Sequence, residues 1–150
     1  MKKLSREQRV IQLALRILNR KIKTKSFTFQ SVSDTKHYLR LRLEQQEREV
    51  IYILYLDNQH RLIADEALFL GTINESPIYP RELIKNVLKH NAAAIIMAHN
   101  HPSGVAEPSL ADRMITTKVT DALKLIEVSI LDHIVLGQDE SVSFAERGWL

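Results

Sequence analysis

The stretch AAAIIMAHNHPSGVAEPSLAD, Ala92 to Asp112, changes character twice along its length. AAAIIMA is a short apolar run of the kind that forms a strand buried on both faces. Pro102 and Gly104 then end the strand and let the chain double back, and Ser109 opens a helix with Asp112 in its first turn. A buried strand, a loop and a helix make one unit of a layered domain whose sites lie on the loops at strand ends. Successive strand side chains point to opposite faces, so His99 and His101 project to the same side, and Asp112 can bring a carboxylate to the same point.

Outward from this stretch the same alternation of elements continues. EVIYILYLD, from Glu49, is apolar at nearly every position and reads as a strand buried on both faces, and DNQH turns it into a second strand, RLIADEALFLGTI. Pro77 and Pro80 break the strand pattern, with Pro80 placed to start the helix RELIKNVLKHN. Upstream, Ser5 and Gln8 form a capping box for a helix to about Arg20, and Ser33 or Asp34 can cap a second through TKHYLRLRLEQQ. Downstream, a helix from Ser109 to about Glu127 precedes two closing strands, VSILDHIVLG and SVSFAE. The order implies an α/β or α+β sheet with helices packed against it.

The chain has 150 residues and no cysteine. That length suits a single domain, and the missing thiols exclude disulfides, thiolate zinc clusters, iron-sulfur centres and a cysteine nucleophile. There is no apolar run of transmembrane length, and MKKLSREQRV has charges where a signal peptide needs an apolar core, so a soluble cytoplasmic protein with no membrane partner is expected. The net charge of +3 hides an asymmetry: residues 1–29 sum to +8 and the rest to −5. A basic segment on an acidic body is the pattern of a nucleic-acid contact or of a solvated helix face, and no aromatic residue lies among these charges to stack on bases.

His99, His101 and Asp112 form an open ligand set, leaving a coordination position of zinc to water or substrate. Imidazole and carboxylate donors favour Zn2+, with iron, manganese or cobalt as alternatives. Each residue also has a structural reading, since Ser109 and Asp112 are what a helix N-terminus wants and the histidines could be satisfied polar groups at a strand end.

Taken together, the spacing H-x-H-P-x6-S-x2-D, filled by His99, His101, Pro102, Ser109 and Asp112, resembles the JAMM motif of the MPN+ metalloproteases. YLRLRLEQQEREVIYILYLDNQHRLIADEALFLGTI, YPRELIKNVLKHNAAAIIMAHNHPSG and LDHIVLG with SFAERGWL resemble, in order, segments of the bacterial RadC family. The resemblance implies a curved mixed β-sheet flanked by helices with cytidine-deaminase-like layering. It divides the chain into a basic helix and linker over 1–28 and an MPN domain over 29–150. It also implies a short RadC-like form without the helix-hairpin-helix domain with which RadC proteins commonly begin.

By the same resemblance, a glutamate at the start of the strand well before the histidines is the general base, and Glu49 matches that place. Glu47 and Glu66 are its competitors. Ser109 is implied as a hydrogen-bond donor to the oxyanion, a role compatible with capping. Asn100, Ser103 and Gly104 read as loop-shaping, and His37, His60 and His90 as surface residues. Asp132 and His133 read as structural, with orientation of a ligand imidazole as the alternative.

Three functions follow: zinc-dependent hydrolysis of a peptide or isopeptide bond, metal-dependent action on nucleic acid, and a metal-stabilised interaction module that binds through the basic N-terminal segment. His99-Asn100-His101 spells HNH, but nuclease HNH fingers spread those residues over a hairpin and a helix.

Overall fold

The computed structural model describes residues 4–24, 27–71 and 78–150. Thr72, Ile73 and Pro77, with Lys2, Lys3 and Lys25 of the basic segment, lie outside the described residues.

The helix α1 (Arg6–Lys23) starts on the expected capping box, with Ser5 and Gln8 each bonded to the other's backbone N–H. It continues to Lys23, beyond the expected end at Arg20, which brings Ile22 into the core. The next helix, α2 (Val32–Leu43), starts earlier than Ser33 or Asp34. Ser31 is its cap, accepting from the Asp34 N–H at 3.0 Å, and Asp34 becomes an acid in the first turn. Strands β1 (Val50–Leu56) and β2 (Leu62–Leu70) follow, then α3 (Pro80–Lys89), β3 (Ala94–Asn100), α4 (Leu110–Lys124), β4 (Ser129–Leu136) and β5 (Ser141–Ser143). The last strand stops at Ser143 because the chain turns at Phe144 to pack its ring on His133, 4.5 Å between centroids.

The strands form one sheet in the order β2-β1-β3-β4-β5, antiparallel except for the β3–β4 pair. Every residue of β1 and of β3 is buried, as their uninterrupted apolar runs required. Strand parity divides the core in two. Val50, Tyr52, Leu54 and Leu56 of β1 pack with Ala94, Ile96 and Ala98 of β3 beneath α1 and α2. Ile51, Ile53 and Tyr55 pack with Ile95 and Met97 beneath α3 and α4. This three-layer arrangement puts His99, in step with Ile95 and Met97, on the face covered by α4. Arg42 and Tyr38 of α2 and Tyr52 of β1 all meet the Asp65 carboxylate of β2 at 2.6–2.9 Å, anchoring the other face. No helix among the described residues is long and apolar enough to cross a membrane.

Candidate metal centre

Three elements deliver the site. His99 is the penultimate residue of β3, and His101, one residue past the strand, keeps its direction because its N–H still donates to Leu136 O at 2.8 Å. Asp112 occupies the third position of α4, where it closes a capping box. Its N–H donates to Ser109 Oγ at 3.1 Å, and its Oδ2 accepts from both Ser109 N and Ser109 Oγ at 2.7 Å. The cap that starts the helix also holds the carboxylate in place. Ser109 therefore spends its one hydroxyl proton on Asp112 in this structure.

Glu49 arrives from the neighbouring strand. The antiparallel register pairs Ile51 of β1 with His99 of β3, and Glu49 lies two residues before Ile51, just outside the strand. The backbone around it is tied down on both sides, since Gly71 N donates to Glu49 O at 2.8 Å and Val50 N to Asn100 Oδ1 at 2.9 Å. Asn100 Nδ2 in turn donates to Arg48 O at 2.9 Å. Asn100, expected to shape the loop beside the metal pocket, also clips the Glu49 segment to the histidine strand from the opposite face of the sheet. One ligand atom from each of Glu49, His99, His101 and Asp112 lies within 4.8 Å of all the others. The competing acids stay outside this group: Glu47 is exposed, and Glu66 accepts from Tyr55 Oη at 2.8 Å.

Hydrogen counting fixes which ring nitrogens carry protons. Thr116 Oγ1 lies 2.6 Å from Asp112 O and 2.6 Å from His133 Nδ1, and each contact needs a hydrogen. The carbonyl has none to give, so Thr116 donates to it and His133 Nδ1–H donates to Thr116. His133 Nε2 is then an acceptor, and His99 Nδ1–H donates to it at 2.8 Å. His101 Nδ1–H donates to Val105 O at 2.8 Å. With both rings neutral, the two Nε2 atoms carry lone pairs, 2.9 Å apart, facing Asp112 Oδ1 at 3.3 Å from His99 and Oδ2 at 3.5 Å from His101. A proton taken up by His101 or a metal ion satisfies such a donor set, and its nitrogen and oxygen atoms fit a metal ion.

A family model described as the RadC-like JAB domain matches residues 29–149. The chain belongs to this family. A UPF0758 protein of Vibrio parahaemolyticus is 54% identical over 143 residues, covering 95% of this chain and 63% of that protein. One from Vibrio cholerae serotype O1 (strain El Tor Inaba N16961) gives the same figures, and one from Aliivibrio fischeri (strain ES114) is 51% identical over 148 residues, 99% of this chain and 66% of that protein. The chain spans just under two thirds of the length of these relatives. The five-stranded mixed sheet between helices agrees with a JAB/MPN-type fold, and the Glu49, His99, His101 and Asp112 group fits a JAMM-type metal site.

The electrostatics of the RadC-like JAB site follow from burial and from these contacts. Burial pushes the Glu49 carboxyl up, against the pull of His99 and His101. Burial also works to raise Asp112, but its interactions with the His101 and His99 imidazoles and with the Ser109 hydroxyl hold it well below the usual carboxylate range. The bond to Asp112 raises the His101 imidazole. Burial pushes His133 well below its ordinary value, so it is neutral at pH 7.

The loop that carries His101 is itself buttressed. Gly104 adopts φ +87°, a left-handed turn that glycine makes without strain, and Gln138 N donates to its carbonyl at 2.8 Å. A Cβ at Gly137 would lie 2.3 Å from that same Gly104 O. Gly137→Ala is therefore expected to displace the loop and to destabilise the fold by about 1–3 kcal/mol, read as a lower midpoint in urea unfolding.

Among the remaining histidines, His37 is exposed and His60 sits in the β1–β2 turn at φ 57°, as expected. His90 differs: its ring stacks on Tyr55 with centroids 4.6 Å apart, because it caps α3 directly over β1. Asp132 is structural, its carboxylate accepting from His133 N, Ala145 N and Ser143 Oγ. His133 belongs instead to the site, through His99. Thr116 went unnoticed in the sequence; its one signal was its place one helical turn after Asp112, on the same face.

Proposed function

We propose that this domain hydrolyses amide bonds, in a peptide or isopeptide, with His99, His101 and Asp112 holding a zinc ion and Glu49 as general base. The observation that carries this reading is the half-buried Glu49 carboxylate, within 4.8 Å of three ligands whose lone pairs face one another. Zinc bound there supplies a Lewis acid for the substrate carbonyl and lowers the pKa of water to about 7. Glu49 takes a proton from the attacking water and returns it to the leaving nitrogen, so that the C–N bond breaks to a carboxylate and an amine. Its raised pKa suits a group that must both accept and release a proton. Ser109 Oγ–H donates to the carbonyl oxygen as charge collects on it, which requires its proton to turn away from Asp112 Oδ2.

The test is a screen of the purified protein on peptides and isopeptides beside single- and double-stranded DNA, with Asp112→Ala as control. Amide cleavage lost in the variant supports the proposal; cleavage of DNA alone replaces it with the nuclease reading. Asn100→Ala separates positioning from binding, since it removes the clip beside Glu49 and touches no ligand. It is expected to retain zinc while kcat falls by about a hundredfold, the effect of misplacing a base by about 1 Å.

A second, separable reading rests on α1, whose exposed Arg9, Arg16 and Arg20 favour contact with a polyanion such as nucleic acid. It predicts DNA binding that weakens steeply with salt, and whose salt slope drops by roughly one unit for each arginine changed to Glu. A flat salt response argues against it.

A further inference from the structure

We propose that His133 is a positioning residue for the metal centre, dictating through a hydrogen-bond chain which nitrogen of His99 is bare. The chain runs His99 Nδ1–H to His133 Nε2, His133 Nδ1–H to Thr116 Oγ1, and Thr116 Oγ1–H to Asp112 O, with distances of 2.8, 2.6 and 2.6 Å. It is a closed circuit, because Asp112 supplies both the carboxylate facing His99 and the backbone carbonyl that ends the chain. That carbonyl can only accept, so it sets the direction of every bond back to His99.

Packing alone gives no reason for an imidazole at this position. His133 is 0% exposed, between His99 and the Phe144 ring, where an aliphatic side chain fills space without the penalty of burying two polar nitrogens. Thr116 gains little from it either, since its hydroxyl already has an acceptor one turn back. What the imidazole adds is an acceptor of fixed orientation for His99. It is an imidazole acceptor, whereas the partners of ligand imidazoles are usually carboxylates, carbonyls or water. A carboxylate in its place would add a second buried negative charge beside Asp112.

This inference rests on the metal-site reading, and its test separates the two. Nitrogen-15 NMR of the histidines in the full chain, after metal removal, reads the tautomers directly. Wild type is expected to carry protons on Nδ1 of both His99 and His133. The reversed chain, with Nε2 of both protonated and Thr116 donating to His133, overturns the proposal.

Zinc affinity, measured by competition with a chromophoric chelator, gives the second readout. His133→Leu is expected to weaken it by about ten- to a hundredfold, and His133→Gln, whose carbonyl oxygen again accepts from His99, to recover most of that loss. Thr116→Val keeps shape and loses only the hydroxyl, so it stands in if His133→Leu fails to fold. It is expected to release the His99 tautomer preference and weaken zinc in the same direction. Folded His133→Leu, or Thr116→Val in its place, with zinc affinity within about twofold of wild type and unchanged tautomers overturns the proposal. Absence of hydrolysis in wild type removes the hydrolase reading alone, because neither readout depends on turnover.

Discussion

Glu49→Gln is expected to bind zinc as wild type does and to lose about a hundredfold to ten-thousandfold in amide hydrolysis, the usual contribution of a positioned acid-base group. Glutamine keeps the shape of the side chain and cannot take a proton. The strand register that pairs Ile51 with His99, two residues from Glu49, is made by backbone bonds and is untouched by the change. Zinc content by elemental analysis and kcat/KM on a substrate from the screen are the measurements. A Glu49→Gln protein with full activity removes the base assignment and returns the choice to an unplaced group.

His101→Ala is expected to lower bound zinc from about one per chain to a trace, and with it the stabilisation that a metal confers by binding only the folded state. That stabilisation is about 4 kcal/mol when free zinc is a thousand times its dissociation constant. Comparing thermal unfolding with and without chelator measures it, and a chelator-sensitive melting point that survives in His101→Ala would count against the ligand set. The pH dependence has a definite sign. In protein without metal, the raised pKa of His101 contributes stability that is present below the unfolded imidazole value and is lost as pH rises through the folded one. Zinc must displace that proton, so the stabilisation by zinc grows over the same rise in pH. The two trends run in opposite directions, and both should vanish in His101→Ala.

Much of this was readable in the amino-acid sequence because the site is built from rules of spacing. Strand parity aligns His99 with His101, and the requirements of a helix start place Ser109 and Asp112 together. The structural reading of those two residues does not compete with the metal-binding reading of Asp112, since the capping box is what orients the carboxylate. Glu49 was found through resemblance and is explained by register, a long-range property that no local pattern in EQQERE encodes. His133 was assigned to structure with Asp132 because its partner, His99, is 34 residues away and meets it only through the parallel pairing of β3 with β4. The end of α1 and the start of α2 were misplaced by a few residues, where Lys21 to Lys23 and Ser31 to Ser33 offer near-equivalent local choices.

The Asn100 clip has a consequence for motion. Glu49 and the two histidines are tied by backbone hydrogen bonds to one sheet, so bending of the sheet or rocking of α1 and α2 carries Glu49, His99 and His101 together. The part free to breathe is α4, which brings Asp112 and Ser109 from outside the sheet. Amide exchange should show this as a boundary through the site itself, with the Val50 amide among the slowest and those at the start of α4 markedly faster.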